Sequence, residues 1–392
     1  MKRKYLWLLP LCLWAALLGS FAHALEAQAS QRITAGHEPG PSDALMQPAK
    51  EGEADPPKAS PMPAPPWQMG NTPGNYAGGM LALQAEGDFF WSVDIPECLA
   101  FVLNPDNTLT RIKFKAEQYL DGWFYYDSSS SSGKSSAIWR CRNHGENRKQ
   151  LLTDIRIVQW QVAGDFLYVL EDIDLPYESC IPEHQLWRIH LDTGERMLYP
   201  LGNVADFALS EQYLFVTYVH REGFDRIDLN GNPNSIVELP LRPYLFFFQE
   251  DWLYYLVYED KQGAAYRCRA DGSEAELLAL HAAQALHYDE GWLYYFQFHT
   301  EISPSYIPQY SILVRKNLAT GEEQVLDAEE RRRHDFAIVG PHVLLHVIES
   351  TGEAYSISAL PWIVPKHGGT PQELTHNEIE QKPITWYNHD AP

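Results

Sequence analysis

A short run of apolar and aromatic residues returns seven times along the chain, and each copy predicts a buried β-strand. The runs are apolar at nearly every position and do not alternate with polar residues, which indicates a strand covered on both faces. Their lead residues are spaced 34 to 50 residues apart: Phe89, Trp123, Phe166, Tyr213, Trp252, Trp292 and His342. Five copies are strong, and the first and last are weaker.

The residues around each run predict three further strands. In the fifth unit the aromatic strand covers residues 251–258, the next strand covers 265–269, and a short outer strand covers 276–280. A shorter strand precedes each aromatic strand. Units of four strands at a period of about 42 residues are typical of a β-propeller with one blade per repeat. We therefore expect an all-β fold, a single β-propeller of four-stranded antiparallel blades, with seven blades favoured and six or eight as alternatives.

Short turns and long loops are predicted to lie on opposite faces of the propeller. Tight turns such as 163–165 and Asp271-Gly272 share one face, the hairpin face. The loops that follow the aromatic strands share the other face, the loop face, and differ widely in length: 127–137, 171–185, 217–223, 258–263 and 297–311. Variable loops on a rigid scaffold usually carry binding sites. The loop face is therefore the predicted binding surface.

The blade pattern resembles that of a known family. The fragments that carry the resemblance are Gly291-Trp292-Leu293-Tyr294-Tyr295, Ala265-Tyr266-Arg267, Asp271-Gly272-Ser273, Leu277-Leu278, and the opening segment Gly70-Asn71-Thr72-Pro73-Gly74-Asn75 with Gly78-Gly79. They resemble a family of secreted bacterial propellers classed as a domain of unknown function, which is similar to the YWTD propellers of the LDL-receptor group. The resemblance covers about residues 70–375 and implies a propeller fold, but no chemistry. The last unit lacks the aromatic residues, and Tyr-Trp-Thr-Asp itself does not occur.

The N-terminal residues indicate export. A basic start is followed by an apolar run from Tyr5 to Ala22 and by the small-residue end Ala22-His23-Ala24, so residues 1–24 are predicted to be a signal peptide cleaved after Ala24. An uncleaved anchor is the alternative, because a run of about 18 residues can span a bilayer. Residues 25–68 are rich in Pro, Ala, Glu and Ser and predict a disordered spacer, and 69–392 form the propeller domain. We expect a secreted or extracellular protein, or one tethered to the cell envelope.

The chain is strongly acidic, with a formal net charge of −22 at pH 7. Such a charge repels phosphate, so we do not expect nucleic acid as a partner. We also do not expect the protein to insert into a membrane after removal of the signal peptide. The charge suits cationic ligands or divalent cations, although colloidal solubility alone also explains it. We expect a monomer.

Four cysteines remain after removal of the signal peptide. Cys141 and Cys268 occupy a repeat position that isoleucine fills in other blades, so we predict two free, buried thiols. Cys98 and Cys180 lie in loops of the loop face, and a disulfide between them stays an open alternative.

Candidate ligand-binding residues come from the long loops and their edges. They are acidic residues, aromatic rings and one histidine: Asp172, Asp174, Tyr177, His220, Tyr258, Tyr306 and Tyr310. The acidic run 171–174 could bind calcium through oxygen ligands, but it lacks the Asp-x-Asp-x-Asp-Gly spacing, and a solvated loop is the alternative. No other cofactor is predicted. Tyrosines in proline-containing loops suit peptide or glycan recognition, and packing over the propeller mouth is the alternative.

Motifs of the common catalytic classes are missing from the sequence, including Gly-x-Ser-x-Gly and His-Glu-x-x-His. We therefore expect a secreted or surface-tethered, non-catalytic β-propeller that binds a protein, peptide or glycan through its loop face. The alternative is an extracellular hydrolase or lyase that uses carboxylates or a divalent cation near the central channel. A pair of catalytic carboxylates among the 52 acidic residues would leave no sequence signature.

Overall fold

The computed structural model describes most of the predicted propeller domain. The described residues are 68–77, 82–93, 99–112, 115–129, 136–142, 145–173, 183–219, 221–229, 233–237, 239, 242–259, 262–298, 309–350 and 357–374. All of them lie in the compact unit Pro65–Pro392. Within these ranges, no helix has the length and apolar character needed to cross a membrane.

The strands form a β-propeller of seven antiparallel blades, which confirms the predicted fold and the favoured blade count. Blades 1 and 2 contain β1 (Ala82–Ala85), β2 (Asp88–Val93), β3 (Leu99–Leu103), β4 (Leu109–Ile112), β5 (Gln118–Leu120), β6 (Trp123–Ser129), β7 (Ser136–Cys141) and β8 (Lys149–Ile155). Blades 3 and 4 contain β9 (Ile157–Ala163), β10 (Phe166–Ile173), β11 (Glu183–His190), β12 (Arg196–Leu198), β13 (Val204–Leu209), β14 (Tyr213–Tyr218), β15 (Arg221–Asp228) and β16 (Pro233–Val237). Blade 5 contains β17 (Leu245–Gln249), β18 (Trp252–Glu259), β19 (Gln262–Cys268) and β20 (Glu276–Leu280).

Blades 6 and 7 share one long strand. They contain β21 (Ala282–Asp289), β22 (Trp292–Gln297), β23 (Gln309–Asn317), β24 (Glu323–Val339), β25 (His342–Ser350), β26 (Ile357–Pro365) and β27 (Gln372–Glu373). The first part of β24 pairs with β23 as the outer strand of blade 6, and its last part pairs with β25 as the inner strand of blade 7. The two blades therefore form a continuous seven-stranded sheet.

The first strand of each blade lies innermost, where neighbouring first strands contact one another around a central channel. The hairpin from the first to the second strand then lies on the hairpin face, as predicted. The turn between β19 and β20 contains Gly272 at a φ of +81°, a conformation that glycine adopts without steric cost.

The aromatic strands form the packing layers between blades. In β18 the five residues from Leu253 to Val257 are all buried, which confirms the interpretation that the run is covered on both faces. Cys141 and Cys268 are buried and free, as predicted, and burial raises the pKa of their thiols to about 11 and about 12.

Residues 68–77, the plug segment, extend into the channel ahead of blade 1 and end in the short helix α1 (Pro73–Ala77). Met69 forms an isolated β-bridge with Ala163, and the Gly70 amide donates to the Val162 carbonyl (2.8 Å). The Asn71 side chain donates to the carbonyls of Ala82 (3.0 Å) and Glu117 (2.9 Å). The segment therefore contacts blades 1, 2 and 3, and its helix α1 contacts the inner strands β17, β21 and β24 of blades 5, 6 and 7.

Asparagine and glutamine side chains pair with the free inner edges of the first strands. The Asn75 amide, 1% exposed, accepts a hydrogen bond from Ile338 N–H (2.8 Å) and donates to the carbonyls of Ile338 (3.0 Å) and Ala82 (3.1 Å). Gln118 pairs in the same way with the edge of β9, accepting from Val162 N–H (2.7 Å) and donating to the Trp160 carbonyl (3.1 Å). These amides satisfy backbone groups that would otherwise be unpaired inside the channel.

Candidate functional site

A cavity of about 700 Å³ opens on the hairpin face, between the plug segment and the ends of inner strands. The inner strands that reach it belong to blades 1, 2, 5, 6 and 7. The residues after β26 complete the wall with Lys366 and His367. Blade edges and a channel insert, rather than loops of the loop face, therefore build this site.

Two tyrosines in the cavity wall have their rings held in place. The Tyr288 ring stacks on Tyr254 at a centroid distance of 4.9 Å, and its hydroxyl donates to Glu250 Oε2 (2.7 Å). The Tyr119 hydroxyl donates to Glu86 Oε1 (3.0 Å). Burial, together with the neighbouring carboxylates, raises the pKa of both phenols, so they stay neutral. Fixed aromatic rings with polar ends suit contact with a ligand at low entropic cost.

A lysine in the cavity wall is bound by two carboxylates. Lys366 is buried and forms ion pairs with Asp289 and with Glu290 (2.9 Å). Burial alone would lower the pKa of the Lys366 amine, but the hydrogen bonds to these carboxylates raise it. The ammonium is therefore charged and its charge is compensated within the wall.

Two buried acceptor atoms in the lining have no hydrogen-bond partner among the described residues. They are Nε2 of His287, a side chain 2% exposed, and Oε1 of Gln249. Burial lowers the pKa of His287 to about 3, although the Phe336 backbone and the Asp335 charge act in the opposite direction, so the imidazole is neutral. Unsatisfied buried polar atoms are rare in folded proteins and indicate water or a ligand.

Of the loop-face residues that the sequence predicted, the structure describes the side chains of two, Asp172 in blade 3 and Tyr258 in blade 5. Asp172, at the end of β10, forms an ion pair with Arg156 (3.4 Å). Tyr258 packs edge-on against the Tyr244 ring (4.9 Å), and its hydroxyl accepts from Gln284 N–H (3.3 Å). Burial raises the pKa of Tyr258 to about 12. Both side chains already have partners within the propeller.

The remaining predicted residues are not tested. Asp174, Tyr177, His220 and Tyr306 lie outside the described residues, and Tyr310 lies in β23 with a side chain that is not described. Cys98 and Cys180 also lie outside them. Among the described residues, no group of three or more His, Cys, Asp or Glu side chains is arranged to hold a metal ion. The predicted calcium site includes Asp174, so it stays a prediction.

Carboxyl groups with raised pKa values lie near the channel, as the alternative enzymatic hypothesis requires, but each already has a hydrogen-bond partner within the propeller. Burial and the Asp127 charge raise the pKa of Glu117 to about 8 against the effect of Lys115. Its oxygens are bound by the Lys115 ammonium (2.9 Å) and by Asp127 N–H (3.1 Å). Asp206, whose pKa burial raises to about 7, accepts a hydrogen bond from Phe207 N–H (2.7 Å).

The sequence did not predict the hairpin-face cavity. The glycine- and asparagine-rich segment 70–75 is the part of the sequence that could have indicated this site. It supported the family resemblance, but no binding role was predicted for it. Glycine is needed at position 74 because a Cβ there would lie 2.7 Å from His287 Nδ1. Lys366 and His367 lie about 290 residues away, and no local pattern connects them with the plug segment.

Comparison with solved structures identifies other proteins with this fold. Two prolyl endopeptidases, studied for inter-domain dynamics, give a TM-score of 0.50 at 13% identity over 65% of this chain and 41% of theirs. The propeller domain of the trilobed protease from Pyrococcus furiosus gives 0.49 at 10% identity over 75% and 94%. A nidogen/laminin complex gives 0.42 at 12% identity over 64% and 93%. No family model and no curated protein matches this sequence. At these identities the similarity to the prolyl endopeptidases supports the fold alone.

Proposed function

We propose that this protein is a secreted or surface-tethered, non-catalytic β-propeller that binds a protein, peptide or glycan ligand. The hairpin-face cavity is the site that the geometry supports best. The observation that carries the proposal is the combination of two fixed tyrosine rings, Tyr119 and Tyr288, with unpartnered buried acceptors in one concave site. Aromatic surfaces beside convergent polar groups are typical of recognition sites.

Export and tethering rest on the sequence of residues 1–68. A spacer between an export signal and a folded domain would hold the propeller away from a surface and leave its hairpin face accessible to a partner. The loop-face residues, including Asp172 and Tyr258, stay a separate prediction for a second contact surface.

Blocking the cavity tests the proposal. Gln84 is an exposed cavity residue on β1, so Gln84→Trp should fill the opening without disturbing the core. We expect this variant to lose binding by at least about tenfold for any member of a panel of immobilised hexapeptides and neutral oligosaccharides that binds the mature protein. Biolayer interferometry against the whole panel measures the effect.

A matched substitution serves as the control. Gln150 is exposed on β8, the outermost strand of blade 2, and does not line the cavity, and Gln150→Trp adds the same side chain to the surface. This variant should bind like the wild type. A panel that contains no binder sensitive to Gln84→Trp would contradict the assignment of the site.

A further inference from the structure

A rim of carboxylates, most of them exposed, surrounds the mouth of the hairpin-face cavity. The hairpin between the first two strands of each of blades 1 to 6 carries at least one acidic residue. These residues are Glu86, Asp88, Asp121, Asp165, Glu211, Glu250, Asp251, Asp289 and Glu290. The hairpin of blade 7 has Gly340 and Pro341 instead. Because the six acidic hairpins come from separate blades, ring closure alone assembles this concentration of negative charge.

Three basic side chains on the same face are bound within the propeller. Lys366 is compensated by Asp289 and Glu290. Arg269 stacks on Trp252 (3.8 Å) and pairs with Glu274 (3.0 Å). The guanidinium of Arg315 stacks on an aromatic ring and donates to the Gln324 side chain and the Lys366 carbonyl. The rim therefore keeps a negative field that favours approach of a cation.

The lining provides independent evidence about the ligand. His287 Nε2 and Gln249 Oε1 are buried and unpartnered, and a neutral imidazole and an amide oxygen can both accept hydrogen bonds. Other polar groups of the wall are already satisfied, such as the hydroxyls of Tyr119 and Tyr288. The wall therefore contains acceptors that lack a donor among the described residues, which favours a ligand with N–H groups.

We propose that the hairpin-face cavity binds a basic peptide segment and receives one of its arginine or lysine side chains. The charged head lies inside the acidic rim, beside the wall that contains His287 and Gln249, and flanking peptide residues contact the tyrosine rings. At about 700 Å³ the cavity exceeds one side chain, so a segment fits it better than a free cation. This inference rests on the proposed function and specifies its ligand class.

The test uses calorimetric titration of the mature protein with matched peptides. One peptide contains three arginines between glycines, and the second replaces each arginine by citrulline, which keeps shape and loses charge. Spermidine and a neutral oligosaccharide complete the set. We expect the arginine peptide to bind at least about tenfold more tightly than the citrulline peptide and than spermidine, and Gln84→Trp to abolish its binding.

Neutralising rim residues tests whether the charges of the rim, rather than the net negative charge of the whole chain, attract the peptide. The triple variant Asp88→Asn, Asp121→Asn and Asp251→Asn removes three rim charges, and asparagine tolerates the positive φ of residues 121 and 251. We expect the triple variant to bind the arginine peptide about tenfold more weakly than the wild type. This difference should become smaller at high salt, which screens the rim charges. The control triple Asp154→Asn, Glu183→Gln and Glu222→Gln removes three exposed charges near the loop face and should change affinity less than about twofold.

The outcomes distinguish the inference from the proposed function. If the citrulline peptide, spermidine or the oligosaccharide binds as tightly as the arginine peptide and Gln84→Trp blocks it, the cavity is a binding site but the basic-peptide assignment is wrong. Equal losses from the rim triple and the control triple would also overturn the assignment. If no probe in this set or in the screening panel shows binding that Gln84→Trp blocks, the proposed function itself fails.

Discussion

The first ring of each strong aromatic strand is half-buried and covered by an arginine from the next strand of the same blade. Trp252 lies under Arg267 and Arg269, with guanidinium carbons 4.1 and 3.8 Å from the ring centroid. The same stacking occurs at Trp123, Phe166, Tyr213 and Trp292. The lead ring therefore contributes cation–π contacts at the hairpin face, whereas the residues that follow it form the buried blade contacts.

His287 makes stability depend on pH. Its pKa falls from 6.5 to about 3 on folding because the ring is buried, so between these values the unfolded state binds the extra proton. The free energy of unfolding should then decrease as pH falls below 6.5, by about 1.4 kcal/mol per pH unit from this residue. Urea unfolding at pH 7 and pH 5 should show a drop about 2 kcal/mol smaller in His287→Asn than in the wild type.

An exposed histidine gives the control for this measurement. His281 has a positive φ that asparagine tolerates, so His281→Asn makes the same chemical change in solvent. This variant should keep the full acid-induced drop of the wild type. An equal drop in His287→Asn and the wild type would show that the imidazole is protonated in the folded protein.

At the scale of elements, amide side chains form the hydrogen bonds that a neighbouring strand would otherwise make with the inner edge of a blade. The innermost strand of a blade has one edge without a β-partner, and the backbone groups on that edge lie inside the channel. An amide has one donor and one acceptor group, which matches a backbone C=O and a backbone N–H that point outward from the same strand edge. Gln159 makes this pairing with Phe207 of β13, as Gln118 does with β9 and Asn75 does with the inner strand of blade 7.

Asn75 should therefore be important for stability. Asn75→Ala removes three hydrogen bonds and leaves both backbone groups of Ile338 unpaired in a partly buried position. We expect the free energy of unfolding to decrease by about 3 kcal/mol, measured by chemical denaturation. Asn104→Ala, in an exposed turn where the amide bonds threonine hydroxyls, should cost less than about 1 kcal/mol. Equal losses in the two variants would contradict the edge-pairing role.

The sequence predicted these elements unequally. The predictions of the aromatic strands and the glycine turns were correct, because period, hydrophobicity and turn chemistry are local properties of the sequence. The pairing of Asn75 with Ile338 was not predictable, since the two residues are 263 positions apart. The shared strand β24 was also not predicted, because its 17 residues serve two blades without an intervening turn.

At the scale of the whole molecule, the plug segment takes part in ring closure. Blades 1 and 7 each consist of consecutive strands, so among the described strands none is exchanged between the chain ends. Side chains of the two blades pack together, including Ala82 and Trp91 with Val339 and Leu344. The Asn75 side chain forms hydrogen bonds with both blades at this junction, to the carbonyls of Ala82 and Ile338. The segment that lines the cavity therefore also connects the first and last blades.

Replacing residues 68–77 by a Gly/Ser sequence of the same length tests this role. The replacement removes the side-chain hydrogen bonds of Asn71 and Asn75 to the inner strands, so we expect the free energy of unfolding to decrease by at least about 4 kcal/mol. Proteolysis should also begin at lower denaturant concentration. A variant as stable as the wild type would show that packing between blades 1 and 7 closes the ring alone.

The sequence by itself determined the propeller fold, the position of the aromatic strands, the separation of hairpins from long loops, and the free, buried state of Cys141 and Cys268. These features follow from patterns that repeat within about 42 residues, and each blade satisfies them locally. Tertiary structure alone decided that acidic hairpins of six blades form one rim and that the plug segment meets Lys366 and His287 in one cavity. The physical reason is ring closure, which brings residues separated by most of the chain into contact.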